Sequence, residues 1–336
     1  LKSNPNHKRY SGVFDKFFIL RPTLFFPVWV MITAGMTASV MNISRYQVWL
    51  HDFNFSTLAL FIGLTLISGS TFIINQVKDI DSDEMNDKLF LVGKKVHIRD
   101  AETIQKWTLI IGLILLIFSD IFVLIAGGLL FFFWGYLYNM EPFHWKKKPI
   151  LGMVANTIAG LILYSAGWIH AAGQEGLSII NYGWLEMLII SIPYLLCYTA
   201  VSLLTTIPDI DGDQSTGAET FPVKFGKRVT IFFAGCMVLA AFWIGWSYDD
   251  PVSTTAAVIS FPFYLVAFLR NQDKDVLRAI RYSIFVLAFL LFTVFPLLFP
   301  AVLFVFYFSK YYYWNRFDLH YPTFLVDEPE ADYDSD

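Results

Sequence analysis

Long apolar runs dominate the chain, with neither the alternation of a half-buried strand nor the single stripe of an amphipathic helix. Nine segments stand out, near 23–42, 56–76, 106–119, 121–140, 150–172, 184–207, 229–247, 252–269 and 279–298, separated by prolines and charged clusters. Several approach the roughly 20 residues that carry a helix across a bilayer core. A segment in hydrocarbon must satisfy its own backbone hydrogen bonds, and a helix does so within itself. The pattern therefore predicts an all-α, polytopic membrane protein with about nine transmembrane helices. Two boundaries are soft: only Ser119 and Asp120 divide the third run from the fourth, and the ninth continues past Pro296 and Pro300 into "AVLFVFYFSKYYYW".

Composition points the same way. Hydrophobic residues make up 56% of the 336 and charged residues only 15%, against about a quarter charged in soluble domains. Nine crossings would place the N-terminus and the connections after segments two, four, six and eight on one side. That side receives all but three (Arg45, Lys310 and Arg316) of the 24 Lys and Arg residues. The asymmetry assigns these loops and the N-terminus to the cytoplasm. The chain then divides into a basic cytoplasmic segment (1–22), a membrane domain (23–314) and an acidic polar tail (315–336) with too little apolar surface to fold, expected on the far side. The first twenty residues lack an apolar signal-peptide core, so no cleaved signal is expected. Cys197 and Cys236 fall within apolar runs, without metal-ligand spacing, and read as fillers.

Against this background two acidic motifs are conspicuous. "NQVKDIDSDEMND" begins at Asn75, at the end of the second run, and "IPDIDGDQ" begins at Ile207, at the end of the sixth. Both runs are even-numbered, so both motifs emerge on the same face. Equivalent positions four runs apart suggest related halves around a shared central cavity. If the helices continue through the motifs, Asn75, Asp79 and Asp83 share one helix face, as do Asp209 and Asp213, whereas Asp81 and Asp211 point elsewhere. Carboxylates at that spacing repel each other and oppose the helix dipole unless a cation sits among them. Oxygen ligands in ones and twos, with room for phosphates, suit Mg²⁺.

A solvated acidic loop explains one such motif but poorly explains two in matching places. A calcium loop fails because position six is Glu84 or Gln214 in place of Gly, and position twelve is Phe90 or Thr220 in place of Glu. An ion pathway, or a non-enzymatic carrier of a phosphorylated lipid, remains the alternative. The same loops contain Lys94, Lys95, Lys146, Lys147, Lys148, Lys224, Lys227 and Arg228. Acidic and basic groups on one rim suit a metal-bound polyanion such as a diphosphate, although the orientation rule alone already requires basic loops there.

These residues resemble the UbiA superfamily of intramembrane prenyltransferases. Asn75-Gln76 through Asp79 to Asp83, followed by Asn86, is similar to the family's first Asp-rich signature, and Asp209 to Asp213 is similar to its second. "TFPVKFGKR" resembles the continuation of that second signature. "YNMEPFHWKKK" resembles the family's loop between helices four and five, at Tyr138, Pro142 and Lys146, and "LRPTLFFP" resembles its opening at Arg21. The resemblance implies helices enclosing a central cavity, a prenyl diphosphate donor bound through Mg²⁺, two ions in all, and transfer of the prenyl group to an aromatic or alcohol acceptor within the membrane.

It further implies that Asn75, Asp79 and Asp83 hold one ion and Asp209 and Asp213 the other. Lys146 and Lys224 would contact diphosphate, with Arg21 and Tyr138 closing the pocket. The family's usual Arg-Pro element after the first motif is missing from "NDKLFLVGKKV", where Lys94 or Lys95 would substitute as point charges. Asn156 and Tyr164 read as hydrogen bonders between helices. Nothing in the pattern calls for nucleic acid.

Overall fold

The computed structural model describes residues 5–44, 53–85, 91–177, 181 and 183–323. Among these the chain is built of helices: α1 (Pro5–Phe18), α2 (Phe25–Ser44), α3 (Phe55–Lys78), α4 (Ile80–Met85), α5 (Ile98–Ile117), α6 (Ile121–Leu130), α7 (Pro149–Gln174), α8 (Trp184–Leu204), α9 (Ile210–Ser215), α10 (Phe221–Phe225), α11 (Lys227–Ser247), α12 (Pro251–Arg270), α13 (Asp273–Phe292) and α14 (Leu298–Phe317). The last turns of α6 widen into a π-helix over Phe131–Leu137.

Among the described residues, six helical stretches are long and apolar enough to cross a membrane: Gly12–Asn42, Phe55–Lys78, Pro149–Gln174, Trp184–Ser215, Lys227–Ser247 and Pro251–Arg270. The expected nine are not all confirmed by that measure, for a physical reason. Arg99, Asp100, Glu102 and Lys106 occupy the first half of α5, and Asp273, Lys274, Asp275, Arg278 and Arg281 the first half of α13, while α6 and its π extension are short.

Close approach in a bilayer relies on small residues, because lipid tails are as apolar as Leu. Gly35 and Gly167 provide it between α2 and α7. A Cβ at Gly35 would lie 1.9 Å from the carbonyl oxygen of Tyr164, and one at Gly167 would lie 2.0 Å from that of Ile32. This tight seam anchors a buried core that includes Met31, Ile32, Met36, Leu163, Tyr164 and Trp168. A second cluster joins α8, α11, α12 and α13 through Ala200, Leu204, Ile231, Val238, Tyr264 and Ala279. At the end remote from the acidic motifs, His170 sits between Thr57 Oγ1 (3.1 Å) and Ser119 Oγ (3.1 Å) and beside Gln174 Nε2 (2.9 Å), tying α3, the α5–α6 turn and α7 together.

One placement departs from the charge-based topology. Arg316, assigned above to the side opposite the N-terminus, ion-pairs with Asp15 of α1 at 2.8 Å. Helix α14 thus brings the chain back to the end where α1 and the acidic motifs lie. It also runs to Phe317, inside the stretch read as tail, and residues 318–323 follow it in defined positions. The rest of the acidic tail (324–336), with Arg45 and Asn86, lies outside the described residues.

The α2–α7 seam yields a direct test. Gly35→Ala drives a methyl group into a backbone carbonyl that no rotamer change can move, and should destabilise the fold by at least about 1–3 kcal/mol. Gly128→Ala, where nothing lies within 4 Å, should be neutral or slightly stabilising, because Ala is the better helix former. Thermal unfolding of the two variants in detergent checks the contrast.

Candidate active site

The first acidic motif does not lie on one unbroken helix. Helix α3 ends at Lys78, Asp79 takes a non-helical conformation (φ −107°, ψ 12°), and α4 restarts at Ile80. The four-residue register survives because the backbone bonds Asp79 N to Asn75 O (2.9 Å) and Asp83 N to Asp79 O (2.7 Å) bridge the break. Asn75 donates through Nδ2 to Asp79 Oδ2 (2.7 Å) and to Asn139 Oδ1 (3.1 Å). Lys146, from the 3₁₀ turn Trp145–Lys147, forms an ion pair with Asp79 Oδ1. Burial pulls the Lys146 ammonium below the ordinary lysine value, and the Asp79 carboxylate pulls it back up. Asp83 is buried, with the Arg21 guanidinium 3.5 Å away. Arg21 occupies the left-handed region (φ 53°), a conformation rare outside glycine.

The second motif is broken as well. Helix α8 ends at Leu204, the 3₁₀ turn Ile207–Asp209 follows, and α9 carries Asp213 one turn beyond Asp209. Thr220 Oγ1 donates to Asp213 Oδ2 (3.0 Å). The two short acidic helices, α4 and α9, pack against each other, and Ser215 Oγ reaches Met85 Sδ at 2.8 Å. Tyr138 stands between the motifs, its hydroxyl in the field of Asp79, Asp213 and Asp209 together. Arg21, Asn75, Tyr138, Asn139 and Asp209 line the mouth of a cavity of about 890 Å³ whose body is mainly apolar and aromatic, including Trp29, Phe72, Trp134 and Tyr198.

Among the described residues, no three His, Cys, Asp or Glu side chains converge closely enough to cage a metal. Mg²⁺ is commonly held by one or two carboxylates, water and substrate phosphate. Hard oxygen donors from two facing helices, with cations beside them, match that donor set. They would hold it through Asp79 on one side and Asp209 and Asp213 on the other.

Residues 28–289 match the UbiA prenyltransferase family. The chain belongs to this family. It is similar to the 2-acylphloroglucinol 4-prenyltransferase of Humulus lupulus (28% identity over 197 residues, 53% of this chain and 44% of the relative). It is also similar to the bacteriochlorophyll synthase 34 kDa chain of Chloroflexus aurantiacus (21% identity, 81% of this chain and 87% of the relative) and to the digeranylgeranylglyceryl phosphate synthase of Methanocaldococcus jannaschii (26% identity, 61% and 69%). The chain spans about half the length of the Humulus 4-prenyltransferases it matches. Its fold is that of a UbiA homolog from Archaeoglobus fulgidus bound to DMAPP and Mg²⁺ (TM-score 0.62, 16% identity, 84% of this chain and 99% of that one). The apo UbiA homolog from Aeropyrum pernix is similar too (TM-score 0.60, 16% identity, 79% and 96%). Membership of the UbiA family and the long apolar helices make this an integral membrane protein.

Within the UbiA bundle, Asn75, Asp79, Asp83, Arg21, Lys146, Tyr138, Asp209 and Asp213 gather at one rim, as their positions in the sequence suggest. Lys94, Lys95 and Lys224 do not join them. Lys94 pairs with Glu84 (3.6 Å), Lys224 lies 4.0 Å from Glu219, and all three are exposed at the periphery. Sequence reasoning missed Asn139, which is fully buried, accepts from Asn75 and donates to the carbonyls of Trp134 and Gly135 in the π segment. Its signal was its place beside Tyr138, at the end of an apolar run where an Asn has no apolar role. Asn156 accepts from Trp134 Nε1 (2.9 Å), the interhelical bond expected of it, while also lining the cavity.

The inner end of the cavity carries a second polar group. Tyr194 and Ser253 line it, and both donate to the buried Asp250, at 3.2 and 2.9 Å; Asp250 also caps the N-terminus of α12 through Val252 N (3.0 Å). Burial holds its carboxyl above the usual carboxylate range despite these bonds. An acid whose folded pKa is raised contributes stability fully below its unfolded value of about 3.9 and loses it as pH rises through the folded value. Asp250→Asn keeps an equally good cap and removes the charge, so the variant should gain on the parent as pH rises from about 4 to about 7. Unfolding midpoints of both proteins in detergent across that range test the sign.

Proposed function

We propose that this chain transfers a prenyl group from a prenyl diphosphate to an acceptor inside the membrane, releasing diphosphate. The observation that carries this reading is the packing of α4 on α9 at the mouth of an apolar cavity, with Asp79 and Asp83 matched to Lys146 and Arg21. The Archaeoglobus homolog of the same fold binds DMAPP and Mg²⁺, which supports a Mg²⁺-dependent allylic donor here. Asn75, Asp79 and Asp83 form one half of the metal site and Asp209 and Asp213 the other, which accommodates two ions. Helices α5, α6 and α13 complete nine crossings with the six apolar stretches before α14 returns the chain to the α1 end, and the positive-inside asymmetry turns the acidic rim and the N-terminus to the cytoplasm.

The chemistry follows from what each part does to charge. When bound, Mg²⁺ neutralises and orients the diphosphate, making it a better leaving group. Lys146 and Arg21 stand where they add positive charge beside it. The C1–O bond breaks with its electron pair leaving on diphosphate, and C1 acquires allylic cation character in a cavity whose walls exclude water. The aromatic faces of Trp134 and Tyr198 line that space and stabilise positive charge. The acceptor forms the new bond to C1 and gives up its proton. A carrier of phosphorylated lipids would need no such dry chamber behind its anion site. A transporter would break its helices at mid-membrane, whereas the breaks at Asp79 and after Leu204 fall at the rim.

Purified protein supplied with labelled DMAPP or geranyl diphosphate, Mg²⁺ and a panel of phenolic and alcohol acceptors should release diphosphate and form a prenylated product. EDTA should abolish turnover and added Mg²⁺ restore it, and Asp79→Ala or Asp213→Ala should lower kcat/KM about a hundredfold or more. Donor binding without diphosphate release under every condition would establish the carrier instead.

A further inference from the structure

We propose that Arg281 of α13 is a further anion-binding residue of the cavity, taking the oxygens of a phosphate, diphosphate or carboxylate group; this rests on the prenyltransferase reading above. Among the described residues that line the cavity, only Arg21 and Arg281 are cations. Arg21 is matched to Asp83 at 3.5 Å, and the chemistry described so far gives Arg281 no part. A guanidinium set among membrane helices is costly, and where it faces a cavity it marks a ligand or ion path. Arg281 lies in the third turn of α13, half-buried, on the same stripe as Leu277 and Ile284, which also line the cavity.

The structural ion pairs of this corner are made by other residues. Asp275, only 1% exposed, meets Arg270 Nε at 3.2 Å and a terminal nitrogen of Arg278 at 3.0 Å. Lys227, the first residue of α11, pairs with Asp273 at 2.7 Å. These contacts tie the opening turns of α13 to α11 and α12, and so they set where Arg281 stands. Breaking a buried pair strands its charge, which keeps that corner fixed.

The surroundings of Arg281 define what it can hold. Helix α13 packs on α8, whose end brings Thr205, Thr206 and Asp209 into the same cavity. Lys146 reaches Asp79 from a turn that packs on α7. Arg281 therefore adds positive charge from a wall that supplies neither Lys146 nor Arg21. A planar guanidinium matches two oxygens of a phosphate or carboxylate at once, which an ammonium does not. Prenyl hydrocarbon offers it nothing. Two ligands of the reaction can carry the oxyanion, the donor through its diphosphate and an acceptor through a phosphate or carboxylate substituent, and the recognition chemistry is common to both.

Purified full-length protein in nanodiscs tests this with Arg281→Gln, Arg281→Lys and, as a charge control on the same helix outside the cavity, Lys274→Gln. The probes are inorganic diphosphate with Mg²⁺, geranyl diphosphate, and matched phenolic acceptors with and without a carboxylate. Arg281→Gln should weaken one anion about tenfold. A loss of inorganic diphosphate affinity with a raised KM for geranyl diphosphate, whichever acceptor is used, places the contact on the donor. A raised KM for the carboxylate acceptor alone, with the neutral acceptor and diphosphate within about twofold, places it on the acceptor. Arg281→Lys should recover part of the loss, and Lys274→Gln should stay within about twofold throughout. Anion affinities unchanged in both Arg281 variants, or a lowered unfolding midpoint with charged and neutral ligands weakened equally in both, would overturn the assignment and leave the prenyltransferase reading in place. No diphosphate release by the parent would overturn that reading; weakened diphosphate binding in Arg281→Gln would then still support the assignment, and unchanged binding would overturn it too.

Discussion

Four carboxylates are forced to share one rim of a membrane protein, and the rest of the structure answers their repulsion. Charges a few ångströms apart interact far more strongly at a lipid-bounded surface than in water. Asp79 and Asp83 each receive a cation from an element distant in sequence, Lys146 at 67 residues and Arg21 at 62. Those two ion pairs draw the turn before α7 and the turn before α2 over the ends of α3 and α4. With them, a site built for a metal-bound polyanion keeps its shape before any ligand arrives.

The same constraint explains why the helices are tight in one place and apart in another. The glycine seam between α2 and α7 brings two backbones into contact, which only small residues allow when hydrophobic driving force between helices is absent. Around the cavity the facing residues are large: Trp29, Phe72, Trp134, Tyr194 and Tyr198. These rings line a cavity of about 890 Å³ between α2, α3 and α8, to which α12 and α13 also contribute. Charged and hydrogen-bonded polar groups gather at the carboxylate rim and at the Asp250 cluster, and the rest of the lining is mainly apolar and aromatic with scattered hydroxyls.

Much of this was legible in the sequence, because the signals are local. Apolar runs mark the long helices, and parity of the runs places both acidic motifs at one end. The spacing of Asn75, Asp79 and Asp83 survived the break in the helix because backbone bonds bridge it. Other features left no local trace. Asn139 acquires its role from a π turn that reorients the end of α6. Lys94 and Lys224 look like phosphate ligands in a linear motif, but both are exposed, Lys94 beside Glu84 and Lys224, on α10, near Glu219. The charged first halves of α5 and α13 blur the difference between a crossing and an amphipathic rim helix, because membrane length is only one of the properties a bundle helix must meet.

The return of α14 is the clearest case of structure that no window of sequence contains. Asp15 and Arg316 are 301 residues apart, and each alone reads as an ordinary charge on a basic segment or an acidic tail. Brought together they close the helices into a ring, because the first helix of the chain is pinned to the last. A bundle of membrane helices is otherwise held by shallow packing, and its weakest seam lies between the two helices that have a neighbour in sequence on one side only. Here that seam, between α2 and α13, is covered from outside by a helix whose own end is held through a buried carboxylate. Helix α14 thus adds Val302, Phe306 and Tyr313 to the wall of the cavity along this seam.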